Sequence, residues 1–145
     1  MTIEDYPYPT LRDLAEEIGH VQIYWSFLEA EMRKQLIAAG YEAKIARGAL
    51  ITHWRTYASM NSNSSDNDLA ELMADVERLA ARRNLLAHGI QSVTANPWEK
   101  DTAAVVCAAP DGLLHHLTIG AIQGLSAQID AVRRSMRRSR PSTPG

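Results

Sequence analysis

Eight apolar residues spaced by threes and fours, Leu11, Leu14, Ile18, Val21, Trp25, Leu28, Met32 and Leu36, constrain this chain more than any other feature. That spacing lays them along one side of an α-helix running from Leu11 to about Ala39. Thr10 after Pro9 is a suitable N-cap, Asp13, Glu16 and Glu17 suit the positive end of the helix dipole, and Gly40 is the expected stop. At 1.5 Å per residue the helix spans about 40 Å, long enough to be the axis of a helical domain. Ile23, Tyr24 and Phe27 lie off the stripe. A helix apolar on more than one side packs on more than one partner, so a homodimer or larger homo-oligomer is expected.

Three more helices are expected. Residues 41–60, YEAKIARGALITHWRTYASM, offer Ile45, Leu50, Ile51 and Trp54 to a core. The polar stretch NSNSSDND at 61–68 is a loop ending in the N-cap candidates Asp66 and Asp68, and a third helix runs from Leu69 to about His88. After Gly89 the periodicity changes. β-rich runs lie around 90–94, 103–109 and 113–118, with the turn signal PDG at 110–112 between the last two. Thr118 caps a fourth helix to about Arg138, and RPSTPG at 140–145 is a disordered tail.

The chain has 145 residues, the size of one domain, with a single cysteine, Cys107. One cysteine excludes an intramolecular disulfide and a multi-cysteine metal site. The stretch MTIEDYPYPT lacks the basic-then-apolar order of a signal peptide, and no apolar run reaches the roughly 18–20 residues of a membrane span. A cytoplasmic protein without membrane association is expected. The net charge of −2 hides an asymmetry: residues 131–145 hold five arginines and no acid, leaving 10 basic against 17 acidic residues elsewhere, or −7. A basic end on an acidic body suits a local polyanion contact.

The most informative short stretch is RRNLLAHG, residues 82–89. Basic residues in a last helical turn followed by glycine are ordinary helix termination, because the carbonyl end of the dipole is negative and glycine accepts positive φ. Arg83 does not fit that explanation. At 100° per residue it falls near the centre of the stripe formed by Leu69, Leu72, Met73, Val76, Leu79, Ala80 and Ala87, about 20° from Val76, whereas Arg82 points outward with Arg78. A guanidinium on an apolar face must be paired, or line an interface or pocket. His88 lies about 140° round the helix from Arg83, above Asn84. One helix cannot aim Arg83 and His88 at a common point, but two copies about a two-fold axis can.

Arg83-Asn84-Leu85-Leu86-Ala87-His88 resembles the R-N-x-x-x-H motif of the HEPN superfamily, small helical bundles whose motif lies late in the third helix. The likeness covers roughly residues 10–138. It implies one domain over 1–139, a mainly α HEPN-like four-helix up-down bundle, with the β-rich segment at about 89–118 as a hairpin or small sheet inserted between the third and fourth helices. Many members are metal-independent endoribonucleases whose paired motifs meet across a dimer interface. For this chain the resemblance implies RNA cleavage by 2′-OH attack, no metal or cofactor, and a toxin or phage-defence role with an antitoxin or regulatory protein as partner. Other members are non-catalytic RNA- or protein-binding or scaffold modules, which is the alternative reading. One toxin branch continues with tyrosine two residues after the histidine; Ile90 stands there in this chain, so control by tyrosine modification is not expected.

The implied roles are chemically intelligible. RNA carries its own nucleophile, so the protein must move protons and stabilise developing phosphorane charge. Histidine as a residue type exchanges protons near neutral pH, which suits His88 to acid/base work. Arg83 stays charged and offers several donors to a phosphate, and Asn84 can orient the imidazole or hold the phosphate.

Other candidates are weaker. Arg133 with Arg137, and Arg134 with Arg138, stack at i, i+4 on the last helix and are candidate RNA-phosphate contacts; without nearby aromatics, base stacking is not expected. His115 and His116 alternate sides on a strand and cannot chelate one ion as a pair. His20 and His53 lack spaced ligand partners, and Cys107 in AVVCAA reads as a small buried apolar residue rather than a nucleophile.

Overall fold

A computed structural model describes residues 6–42, 44–61 and 66–138. The described residues form four helices, α1 (Leu11–Ala38), α2 (Arg47–Asn61), α3 (Asp66–His88) and α4 (Ile119–Arg138). Three strands, β1 (Ile90–Thr94), β2 (Ala104–Ala108) and β3 (Leu114–Thr118), lie between α3 and α4. The expected tail at 140–145 falls outside the described residues.

The ends of α1 follow from local chemistry. Thr10 Oγ1 accepts from the Asp13 backbone N–H at 3.2 Å, and the Asp13 carboxylate accepts from the Thr10 backbone N–H at 2.9 Å, a reciprocal capping box. At the other end Gly40 adopts φ +95°, its N–H bonds Ile37 O at 3.0 Å, and the Tyr41 N–H bonds Leu36 O at 2.9 Å. This left-handed stop satisfies the last carbonyls and commits Tyr41 to the cap. The second helix therefore begins at Arg47 rather than at 41. The third starts earlier than expected, at Asp66, which places Asp68 inside its first turn instead of at its cap.

The core runs along the expected α1 stripe. Leu14, Val21, Leu28, Met32 and Leu36 are fully buried, together with Leu50 and Trp54 of α2, Val76 and Leu79 of α3, and Ile122 and Ile129 of α4. Trp25, Leu28 and Met32 are interior residues of this chain. Buried polar groups are matched. Gln35 accepts from Trp54 Nε1 at 3.0 Å and donates to Glu31 Oε1 at 3.1 Å and to the Met136 carbonyl at 3.2 Å, tying α1, α2 and α4 together.

The order β1-β2-β3 is an antiparallel meander, with β2 central and largely buried. Its Val105 and Cys107, with Leu117 of β3, join the helical core. The PDG turn is as the sequence suggests: Gly112 has φ +86°, and the Asp111 carboxylate accepts from the Leu113 N–H at 3.0 Å. Thr118 Oγ1 caps α4 by accepting from the Ala121 N–H at 3.1 Å.

Helix direction departs from an up-down bundle. Tyr8, just before α1, bonds Pro97 O at 3.1 Å, and Ile119, at the start of α4, bonds Ala103 O at 3.1 Å. Both residues thus sit at the Thr94–Ala104–Thr118 end of the sheet. At the far end, Gln35 of α1 reaches Met136 of α4. α1 and α4 are therefore parallel, whereas strict alternation would oppose them. The reason is where the sheet docks: the N-termini of both helices are pinned to the same end of it.

Candidate functional site

The RRNLLAHG segment forms the last turns of α3 and the step into β1. Arg83 is half-buried and faces α1, and Arg82 beside it is exposed, as the helical phase predicted. The Arg83 Nε donates to Gln22 Oε1 at 3.0 Å and Nη1 donates to Asn84 Oδ1 at 3.2 Å. The guanidinium carbon lies 6.0 Å from the Trp25 ring centroid, at the outer range of a cation–π contact. The cost of a cation against the core is thus met by an amide oxygen and an aromatic face on α1. The sequence pattern points to neither neighbour: Gln22 lies one step off the α1 stripe, and only the docking of α3 on α1 makes it a partner.

Asn84 and His88 are exposed. Asn84 is turned toward Arg83 by the bond to its side-chain oxygen, so the first two motif residues act as a unit. His88 is the last residue of α3. Because the helix is continuous through Arg83 and His88, the two side chains project about 140° apart. A single copy does not join them in one cleft. A surface groove lined by Leu11, Val93, Asn96, Glu99 and Thr102 lies at the opposite end of β1 and includes no motif residue.

Gly89 ends the helix by a different means from the one its sequence suggests. It does not take positive φ. Instead its carbonyl accepts from the Ala108 N–H at 2.8 Å, and a Cβ at position 89 would collide with the Ala108 carbonyl oxygen. The glycine lets the backbone of β2 close on the end of α3, and so fixes His88 relative to the sheet.

The basic end of α4 is less open than its composition suggests. Asp130, one residue outside the acid-free stretch, takes both Arg133 and Arg134, with N–O separations of 2.8 Å each. The Arg133 hydrogen bond, aided by the charges of both arginines, holds the Asp130 carboxyl below the usual carboxylate range. Arg138 donates to Ser135 Oγ at 3.3 Å, and Arg137 and Arg138 are exposed. Of the four candidate phosphate contacts, two are thus already partnered by a carboxylate.

The remaining candidates behave as ordinary structural residues. His115 pairs with Cys107 and His116 with Val106, on opposite faces of the sheet. His20 is exposed beside Glu17 at 3.5 Å, and the His53 ring meets Tyr41 edge-on at 5.9 Å. Burial pushes the Cys107 thiol up, away from thiolate reactivity. Among the described residues no helix is long and apolar enough to cross a membrane.

No family model, no curated protein and no solved structure matches this chain.

Proposed function

We propose that this chain is a metal-independent endoribonuclease of the HEPN type, acting as a dimer through Arg83, Asn84 and His88. The observation that carries the reading is the Arg83–Asn84 unit. A permanently charged guanidinium is fixed over Trp25 by Gln22, half-open to solvent, five residues before an exposed histidine on the same helix. Arg83 binds the scissile phosphate and offsets phosphorane charge, with Asn84 holding its fork in place. His88 takes the 2′-OH proton as the 2′-oxygen attacks phosphorus. The P–O5′ bond breaks, the 5′-oxygen takes its proton from the imidazolium of the second copy, and the products are a 2′,3′-cyclic phosphate and a 5′-hydroxyl. Arg137 and Arg138 add salt-sensitive phosphate contacts. A toxin or phage-defence role, with an antitoxin or regulator as partner, fits such an activity in the cytoplasm.

One observation favours a second reading. Gln22 and Trp25 give Arg83 a packing role that needs no substrate. A non-catalytic HEPN-like module binding RNA or protein would use the same arrangement. Cleavage of varied RNAs in EDTA separates the two. The nuclease reading expects cyclic-phosphate ends from wild type, and at least about hundredfold less product from Arg83→Ala and from His88→Ala. No cleavage by wild type, or equal cleavage by both variants, rejects it.

A further inference from the structure

The outer face of α1 carries a symmetric pattern that none of the described elements cover. Ile23 and Phe27 are 51% and 48% exposed in the middle of a helix whose opposite side is core. Glu16 and Lys34 are exposed on the same face, seven residues before Ile23 and seven after Phe27. At 100° per residue all four fall within about 40° of one another, on the side away from Trp25. Among the described residues neither Glu16 nor Lys34 has a hydrogen-bond or ion-pair partner within the chain.

The order acid, apolar, apolar, base is self-complementary when a second α1 is laid antiparallel. A two-fold axis through the level of residue 25 sets Ile23 of one copy against Phe27 of the other. The same axis sets Glu16 against Lys34 at both ends. A parallel pairing would instead oppose Glu16 to Glu16 and Lys34 to Lys34. Ala30 is exposed on this face and small enough to let the helices approach.

We infer that this face of α1 is an isologous interface for a second copy of the chain, with an Ile23–Phe27 centre bounded by two Glu16–Lys34 ion pairs. The pairing does not rest on the nuclease reading, since it uses none of the motif residues. It leaves the Gln22 flank uncovered. Arg83 lies over Trp25 on the far side of α1, so this contact neither buries the two Arg83 groups nor brings them together.

The test is a charge swap on the full chain, read by analytical ultracentrifugation with far-UV circular dichroism on each sample. Wild type is expected to be a dimer. Phe27→Glu, Glu16→Lys and Lys34→Glu should each raise the dimer dissociation constant on the order of tenfold or more, with unchanged helicity. The double variant Glu16→Lys/Lys34→Glu restores opposite charges and should return the constant to within about threefold of wild type, since exposed pairs contribute little each. A monomeric wild type overturns the proposal, as does a dimer indifferent to Phe27→Glu or a double variant no tighter than the single ones. RNA cleavage by wild type is a separate readout: a dimer that cleaves RNA yet is indifferent to Phe27→Glu rejects this interface and leaves the nuclease reading standing.

Discussion

Arg83 Nε donates to Gln22 Oε1 across 3.0 Å, joining the motif-bearing end of α3 to the middle of α1. The bond fixes where the guanidinium points, and that separates a charge role from a packing role. Arg83→Met keeps an unbranched apolar stem near Trp25 while removing the charge and its donors. It should unfold within about 1 kcal/mol of wild type in urea, yet lose RNA cleavage as fully as Arg83→Ala. Full activity in Arg83→Met would assign the residue to packing alone.

Gln22→Ala removes the acceptor but leaves the motif untouched. The guanidinium then keeps the Asn84 bond and the Trp25 face but loses its Nε anchor on α1. Misplacement of a phosphate-binding group slows turnover without abolishing it, so cleavage is expected to fall about tenfold. Stability should change by no more than about 1 kcal/mol, because the bond is only part-buried. Unaltered single-turnover kinetics would show that Gln22 does not position Arg83.

Gly89→Ala tests the contact between α3 and the sheet. The added methyl meets the carbonyl of Ala108 and lies 3.0 Å from that of Leu85, both backbone atoms that cannot swing aside. The strand must shift, at a cost on the order of 2 kcal/mol. A urea midpoint equal to that of wild type would mean that the strand yields without strain.

The helices, strands and their caps were legible because local chemistry sets them. Thr10, Gly40, Asp111 and Thr118 each act through atoms within five residues. What local pattern could not supply was docking. The parallel course of α1 and α4 depends on which end of the sheet holds both N-termini, a long-range fact with no periodic signature. At the candidate site, the oddness of Arg83 was visible from helical phase, but Gln22 and Trp25 were not, because their role arises only when α3 lands on α1. Composition alone does not describe the basic end, because Asp130, one residue before the acid-free stretch, partners Arg133 and Arg134.

That carboxylate makes the basic end adjustable. Asp130→Asn releases two arginines on α4 and removes one negative charge beside them. If α4 contacts RNA, affinity should rise and the slope of log affinity against log salt should steepen by about one to two phosphate contacts. The same variant should lose no more than about 1 kcal/mol of stability. The Asp130 pKa is lowered on folding, so its contribution is complete above the unfolded value of 3.8. It is lost as pH falls through the still lower folded value. Acid unfolding below about pH 4 should therefore differ less from neutral pH in Asp130→Asn than in wild type. An unchanged salt slope would leave the basic end of α4 out of RNA binding.

Gln35 holds three helices through one buried amide, and Trp54→Phe opens that arrangement at one point. The substitution keeps most of the ring in the core but deletes the indole N–H that donates to Gln35 Oε1 at 3.0 Å. The amide cannot simply flip to recover, because its nitrogen already serves Glu31 and the Met136 carbonyl. A buried acceptor left without its donor costs about 1–3 kcal/mol, and the smaller ring adds a cavity. Wild type and Trp54→Phe should therefore differ by about 2–4 kcal/mol in denaturant. Trp54→Phe combined with Gln35→Met removes the orphaned acceptor along with the donor. The double variant should be more stable than the sum of the two single changes predicts, since residues in one network are not additive. Strict additivity would mean that the amide and the indole do not depend on each other.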